Sequence, residues 1–177
     1  MKRAILVGFM GCGKTTLGKK LAKHIDVPFI DSDAEIEAHY QKTIGELFTE
    51  KGESNFRAIE NEFIHTLNDR DDFVLATGGG MPCFGSNMNI LNSAGITFYM
   101  ERSAKELTHR LMRAKNKRPL IDGMSEVELL RFIQDRLILR EDYYKKAIVT
   151  LNREEQTTES IQYYLEHLSP LGAHQKN

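Results

Sequence analysis

The stretch GFMGCGKT, residues 8–15, decides the fold of this 177-residue chain. It fits the pattern G-x-x-x-x-G-K-[ST], and it lies between an apolar run, AILVG (4–8), and a helix-forming segment, Lys14 to Ile25. Glycines let backbone N–H groups turn inward around phosphate oxygens, and the helix that follows adds the positive end of its dipole. The sequence therefore predicts a loop that binds the phosphates of a nucleoside triphosphate.

Two polar side chains of this phosphate loop have expected roles. Lys14 would reach the β- and γ-phosphates, and Thr15 would offer its hydroxyl to Mg²⁺. Cys12 is read as a small spacer rather than a nucleophile. The expected nucleotide contacts of the loop are Gly11, Cys12, Gly13, Lys14, Thr15 and Thr16.

Short apolar runs alternate with amphipathic segments along the rest of the chain. The further strand-like runs are VPFI (27–30), FVLAT (73–77), ITFYM (96–100) and AIVTL (147–151). Continuous apolar strands, each followed by a helix, predict a parallel sheet covered on both faces. The expectation is a three-layer α/β/α domain over residues 1–168, with five parallel strands. The helix-like segments are 14–25, 33–40, 43–50, 55–68, 103–114, 125–145 and 157–168.

Two segments stand outside this alternation. RAKNKRPLIDGM (113–124) is basic, and we predict a mobile lid that brings positive charge over a phosphate. Residues 169–177 are predicted to be a flexible tail. Within the helical segments, Thr43 and Glu46 form a possible capping box.

Composition excludes several classes of partner. Lys and Arg total 24 against 25 Asp and Glu, which gives no electrostatic case for nucleic acid or an anionic membrane. The two cysteines, Cys12 and Cys83, form no metal or disulfide pattern, and no stretch is long enough to span a bilayer. We expect a cytoplasmic monomer.

The segment FIDSD (29–33) places two carboxylates where an apolar strand ends. The chain has no N-K-x-D sequence, which argues against a guanine-specific GTPase. FVLAT ends in Thr77, so the acidic residue that often ends the strand beside a phosphate loop is missing there. FIDSD is the predicted source of the carboxylate on the magnesium side.

Further motifs follow in a specific order, and together they carry a resemblance. They are GxxGxGKTT, DSD (31–33), GESNFRAIE (52–60), TGGG (77–80), KRPL (117–120) and R-x-x-x-Y from Arg140 to Tyr144. In order and spacing this set resembles the shikimate kinases, over roughly residues 3–168. The resemblance implies a P-loop kinase that transfers the γ-phosphoryl group of ATP to the 3-hydroxyl of shikimate, in the biosynthesis of chorismate and the aromatic amino acids.

The resemblance also implies a shikimate-binding region at about 31–60 and roles for single residues. Arg57 and Arg140 would hold the substrate carboxylate, for which a guanidinium fork is suited. Asp33 would orient the 3-hydroxyl and is a candidate to take its proton, and Asp31 would reach Mg²⁺. Gly79 would contact shikimate. Three more residues would wall or brace the pocket: Phe48, Phe56 and Glu60.

Three residues outside that region match nucleotide contacts of the family. Arg118, in the lid, would swing onto the ATP phosphates and act in catalysis with Lys14 and Asp33. Arg110 would pack on adenine, and Gln156 aligns with a nucleotide contact in the loop after the last strand.

The chain departs from the family at Asp142, where a proline is usual, which leaves Arg140 in place but could loosen its surroundings. Cys83 falls near the expected pocket. We expect it to serve in packing rather than in chemistry, with a thiol that could make the enzyme sensitive to alkylation. The nearest alternative function is a gluconate or nucleotide kinase of the same fold. A non-catalytic nucleotide-binding module is a third, although no residue it would be expected to lack is missing: Lys14, Asp33, Arg57, Arg118 and Arg140 are all present.

Overall fold

A five-stranded parallel sheet forms the centre of the molecule. The computed structural model describes residues 2–114 and 119–168. The strand order is β2-β3-β1-β4-β5, and every pair of neighbours is parallel. The predicted parallel sheet is confirmed. The strands are β1 (Arg3–Val7), β2 (Phe29–Asp31), β3 (Phe73–Ala76), β4 (Ile96–Met100) and β5 (Val149–Leu151).

Helices cover the sheet and complete the three-layer α/β/α architecture. The first, α1, packs against β1, β2 and β3 and against the last helix, while the fourth packs against β4. Residues of β3 and β4 are buried throughout, which explains why these strands read as unbroken apolar runs. The helices are α1 (Lys14–Ile25), α2 (Ser32–Tyr40), α3 (Ile44–His65), α4 (Asn87–Ala94), α5 (Ala104–Met112), α6 (Glu126–Tyr144) and α7 (Thr158–His167), with short 3₁₀ turns at Thr66–Asp69, Met81–Cys83 and Pro119–Ile121.

Helix α4 was not predicted from the sequence. Its stretch, NMNILNSA, is rich in asparagine, yet Asn87 and Asn92 are buried. Their side-chain amides donate to backbone carbonyls, Asn87 to Met81 at 2.9 Å and Asn92 to Lys146 at 2.9 Å. Because these amides have partners inside the protein, polar residues occupy positions where an amphipathic pattern requires apolar ones.

Reciprocal side-chain caps, known as capping boxes, fix where three of the helices begin. The Thr43 hydroxyl accepts from the Glu46 N–H at 3.2 Å while the Glu46 carboxylate accepts from the Thr43 N–H, which confirms the predicted capping box. The same reciprocal pair starts α5 and α6. Two separate helices were predicted, over 43–50 and 55–68. The structure agrees, since α3 consists of two helical stretches joined by a kink at Gly52, whose φ of 75° and ψ of 167° are not helical.

Parallel strands send all their carboxyl ends to one edge of the sheet. The phosphate loop follows the central strand β1, the TGGG turn (77–80) follows its neighbour β3, and Asp31 ends β2, which pairs with β3. These three segments therefore meet at the same edge. Part of the predicted lid, residues 115–118, and the predicted tail, 169–177, lie outside the described residues. Within the described part of the chain, no helix combines the length and apolar character needed to cross a membrane.

Candidate active site

The phosphate loop takes a shape that its glycines make possible. Gly8, Gly11 and Gly13 have φ values of 140°, 81° and 112°, which L side chains rarely adopt. A Cβ on Gly11 would also lie 2.9 Å from the Leu111 side chain. The Lys14 ammonium is buried inside the curl and donates to the carbonyl of Gly8 at 2.7 Å. The loop thus holds a positive charge where phosphate oxygens are expected.

The first carboxylate of FIDSD connects the phosphate loop to α2. Asp31 Oδ2 accepts a hydrogen bond from the Thr15 hydroxyl at 3.1 Å. Its other oxygen, Oδ1, accepts from the backbone N–H of Asp33 at 3.2 Å and caps α2. One oxygen is therefore structural, and the other faces the loop beside a hydroxyl.

This pair of oxygens suits Mg²⁺. Across residues 2–114 and 119–168, no group of three or more His, Cys, Asp or Glu side chains could hold a metal ion. A site that offers Thr15 and Asp31 leaves most positions to water and phosphate, and Mg²⁺ prefers such sites because it gives up its waters reluctantly. The residues present fit the metal that the sequence predicted.

The second carboxylate, Asp33, lies against the TGGG turn. The Ser32 hydroxyl donates to Asp33 Oδ1 at 3.4 Å and accepts from the Gly78 N–H at 2.7 Å. Burial raises the pKa of Asp33, the charge of Asp31 raises it further, and the charge of Lys14 lowers it. The raised pKa makes this carboxylate a better proton acceptor than an exposed aspartate.

Arg57 is held on three sides. Its guanidinium donates to Glu60 at 2.6 Å and to Glu53 at 3.2 Å, and it lies over the Phe84 ring at 3.8 Å. Its Nε is buried and has no hydrogen-bond partner among the described residues. Phe84 was not predicted, and no local pattern could have found it. The rings of Phe48 and Phe56 lie farther from the guanidinium, at 5.7 and 5.5 Å.

Glu60 braces Arg57 by accepting the hydrogen bond from its guanidinium. Its carboxylate is almost fully buried, and burial raises its pKa while hydrogen bonding and charge from Arg57 lower it. The charge of Arg140 also lowers it, and that of Asp33 raises it. Two predicted arginines and the predicted acceptor carboxylate therefore act on one buried acid.

The departure at Asp142 does not loosen the chain around Arg140. Helix α6 runs without a break from Glu126 to Tyr144, so Arg140 projects from a regular helix. A proline at position 142 would lack the N–H that such a helix needs in its interior. The Arg140 guanidinium lies 5.8 Å from the centre of the Phe9 ring, beside the phosphate loop.

Cys83 is surrounded by site residues but is a poor nucleophile. The thiol is buried, and burial raises its pKa to about 11 against the lowering effects of Arg140, Tyr144 and Arg57. Since the thiolate is the reacting form, we expect iodoacetamide at pH 7 to modify Cys83 at least about a hundredfold more slowly than a free thiol. Peptide mass spectrometry of native protein, against urea-unfolded protein as the control, measures this rate. Rapid labelling of native Cys83 would contradict its burial.

Three residues outside the phosphate loop were predicted to contact the nucleotide, and the structure describes two of them, Arg110 and Gln156. Arg110 Nε donates to the carbonyl of Gly11 at 2.8 Å, which places it beside the phosphate loop. The Gln156 amide donates to the carbonyls of Glu101 at 2.9 Å and Leu151 at 3.0 Å, while its buried Oε1 has no hydrogen-bond partner among the described residues. Arg118 lies outside the described residues.

The TGGG turn is where the remaining predicted residues meet. A Cβ on Gly78 would lie 2.5 Å from Asp33, and a Cβ on Gly80 would lie 3.0 Å from Arg57. The carbonyl of Gly79, between them, accepts a hydrogen bond from the Tyr144 hydroxyl. A side chain at Gly78 would displace Asp33, and one at Gly80 would press on Arg57, so the turn and these two side chains form one edge of the candidate site.

The family model and the similar curated proteins indicate one family. The family model described as shikimate kinase matches residues 10–169. A shikimate kinase of Parabacteroides distasonis is 45% identical over 160 residues, which cover 90% of this chain and 92% of that protein.

Solved structures give the same result. The crystal structure of shikimate kinase from Bacteroides thetaiotaomicron is 40% identical, with a TM-score of 0.85 over 94% of this chain and 97% of that one. Shikimate kinase from Acinetobacter baumannii, solved in complex with shikimate, is 34% identical, with a TM-score of 0.77 over 94% and 92% of the two chains. Because the family model matches residues 10–169 and the relatives are 34–45% identical over nearly the whole chain, the chain belongs to the shikimate kinase family.

Proposed function

We propose that this protein transfers the γ-phosphoryl group of ATP to the 3-hydroxyl of shikimate, giving shikimate 3-phosphate and ADP. One observation carries the proposal most directly: the TGGG turn contacts both Asp33 and Arg57, at the sheet edge that also carries the phosphate loop. A group suited to bind a carboxylate and a group suited to accept from a hydroxyl thus lie against one turn, next to the phosphate loop. The family, and a relative solved with shikimate bound, support this acceptor.

The acceptor is held at two ends in this mechanism. Arg57 and Arg140 bind its carboxylate through charge-assisted hydrogen bonds. Asp33 accepts a hydrogen bond from the attacking hydroxyl, whose oxygen bonds to the γ-phosphorus as the bond from that phosphorus to the ADP oxygen breaks. The hydroxyl proton passes to Asp33, whose raised pKa favours that transfer.

Positive charge supplies most of the remaining catalysis. Phosphoryl transfer proceeds through a loose transition state with charge spread over the phosphoryl oxygens. Lys14 leaves the carbonyls of its own loop to meet those oxygens, at little cost because phosphate replaces them as acceptor. Mg²⁺, when bound by Thr15 and Asp31, supplies further positive charge to the phosphates.

The other assignments complete the proposal as predictions from the sequence. The nucleotide would be held by Arg110, Gln156 and the loop residues 11–16, and Arg118 would reach the phosphates from the lid. Closure of the lid would keep water from taking the phosphoryl group. A monomeric state and a place in the cytoplasm stay predictions in the same way.

Release of ADP from Mg-ATP tests the proposal. The purified protein is given shikimate, gluconate, each nucleoside monophosphate or no acceptor, in parallel assays. We expect release that depends on shikimate. Release with another acceptor only would support kinase activity but would contradict the assignment of Arg57 and Arg140 to the carboxylate of shikimate. No release with any acceptor would favour a binding module.

Gly78→Ala tests whether the TGGG turn sets the position of Asp33. The added Cβ would lie 2.5 Å from Asp33 Oδ1, so the carboxylate must move. We expect kcat with shikimate to fall by about tenfold or more, because small displacements of a reacting group cost this much. Steady-state kinetics measure the change.

Gly45→Ala is the matched control for that variant. Gly45 lies in the first turn of α3, and the nearest atom to its added Cβ is Thr43 Oγ1 at 3.9 Å. Alanine is favoured over glycine in a helix, so this variant should be as active and at least as stable as the parent. Equal kcat values for the two variants would contradict the role of Gly78.

A further inference from the structure

Tyr144 is a buried polar residue for which the mechanism above has no use. Its side chain is fully buried at the last position of α6, and its ring stacks on Tyr99 with centroids 5.3 Å apart and an interplanar angle of 27°. A buried tyrosine hydroxyl needs a hydrogen-bond partner, because an unsatisfied one is costly. Phenylalanine would fill the same space without that requirement.

The Tyr144 hydroxyl joins two segments that the proposed function places on shikimate. It donates to the carbonyl of Gly79, 65 residues away along the chain. Arg140 precedes Tyr144 by one helical turn, so both side chains lie on one face of α6. Burial raises the pKa of Tyr144, the nearby Cys83 thiol raises it further, and the positive charge of Arg140 lowers it.

We propose that Tyr144 is a positioning residue that fixes Gly79 and Arg140 relative to each other and so sets the shape of the shikimate-carboxylate end of the pocket. The hydroxyl donates a hydrogen bond to the Gly79 carbonyl, and its residue stands one helical turn after Arg140 on α6. The TGGG turn and α6 are therefore held by one oxygen. Because Tyr144 is fully buried, it does not touch the substrate, and it acts through its hydrogen bond to Gly79 and through the turn of α6 that carries Arg140. This inference rests on the proposed function.

A role in positioning and a role in packing differ in what they affect. Loss of packing lowers the stability of the whole domain and the fraction of active enzyme, so the apparent kcat would fall while the KM for shikimate stays near that of the parent. Loss of positioning leaves the ring, its stacking and the ATP side intact. It raises the KM for shikimate, since Arg140 and Gly79 contact that substrate and not the nucleotide.

Tyr144→Phe is the test, and Tyr99→Phe is its matched control. Both variants remove one hydroxyl from the same stacked pair of buried rings, and only Tyr144 donates to the TGGG turn. We expect Tyr144→Phe to raise the KM for shikimate about tenfold, with kcat and the KM for ATP within about twofold of the parent. Tyr99→Phe should leave all three near the parent values.

Hydrogen exchange provides a readout that needs no substrate. In Tyr144→Phe the Gly79 carbonyl loses its hydrogen-bond donor, so the TGGG turn should open more often. Mass spectrometry should then show faster amide exchange in peptides covering 78–83. The Tyr99→Phe control should not change that exchange. Thermal unfolding of both variants shows whether general destabilisation explains either effect.

Each outcome decides the proposal. An unchanged KM for shikimate, or a joint loss of kcat, both KM values and stability, overturns it. A raised KM without faster exchange overturns the route through Gly79. If the parent protein shows no ADP release with shikimate, the proposed function fails, and the exchange result alone then decides whether Tyr144 fixes the turn.

Discussion

Asp33→Asn should lower kcat with shikimate by about a hundredfold or more while ATP binding stays near that of the parent. The amide keeps the size of the side chain but cannot take the hydroxyl proton, and general base catalysis contributes about 10²- to 10⁴-fold. The nucleotide is bound by the phosphate loop, which the substitution does not touch. Steady-state kinetics and calorimetric titration with Mg-ATP measure the two effects separately.

The pH dependence of the parent enzyme should show the same carboxyl group. The pKa of Asp33 is raised by burial and by the charge of Asp31, so kcat/KM should fall as the pH drops through that raised value. The Asn variant should lack this acidic limb. The free energy of unfolding should change in the opposite direction to kcat/KM. Ionised Asp33 destabilises the folded state because its pKa is raised there, and this destabilisation is lost as the pH falls through the raised pKa. Asp33→Asn should therefore be at least as stable as the parent at neutral pH.

Asp26→Asn is the control for this variant. Asp26 is exposed at the end of α1, with a φ of 55° that asparagine tolerates well. Asp26→Asn also replaces a carboxylate by an amide, but at the end of α1 and away from the TGGG turn. We expect its kcat to match that of the parent. A kcat of Asp33→Asn within about threefold of the parent would remove Asp33 from the proton transfer.

Arg57→Ala should weaken shikimate binding by about a hundredfold or more and leave ATP binding near normal. The substrate carboxylate loses a guanidinium that offers two parallel hydrogen bonds, and a hydrogen bond to a charged group is worth about 1.5–3 kcal/mol. Isothermal titration with shikimate and, separately, with Mg-ATP measures this. A loss confined to ATP would show that Arg57 serves the other ligand.

A second variant guards against a folding effect. Arg57→Ala leaves the buried Glu60 carboxylate without its partner, and breaking a buried ion pair in this way is strongly destabilising. Adding Glu60→Gln removes the stranded charge, so the double variant should regain stability without regaining shikimate affinity. Arg70→Ala, which breaks an exposed pair with Glu35, is the control and should change neither ligand.

The sequence predicted those parts of the fold that depend on neighbouring residues. Apolar runs gave the five parallel strands, and the reciprocal pair of Thr43 and Glu46 gave a helix start. Helix α4 was missed because Asn87 and Asn92 satisfy their amides inside the protein, which a pattern of apolar and polar residues cannot show. Patterns of this kind assume that polar residues face water.

In the candidate site, too, local motifs could be predicted from the sequence and contacts between distant residues could not. The phosphate loop and FIDSD are local motifs, and their residues do lie together at the sheet edge. The ring of Phe84 under Arg57 and the hydroxyl of Tyr144 on Gly79 join distant parts of the chain, and no periodicity or spacing indicates such pairs. They arise only once parallel strands bring their carboxyl ends to one edge.

The two oxygens of Asp31 restrict how this position can drift in evolution. Serine or asparagine would still cap α2 but would bring no negative charge to the loop, and glutamate would keep the charge but is a poor cap. A change here would alter both the hydrogen bond to Thr15 in the phosphate loop and the start of the helix that carries Asp33. Tolerated variation should therefore be narrower at Asp31 than at a residue that meets only one of these demands.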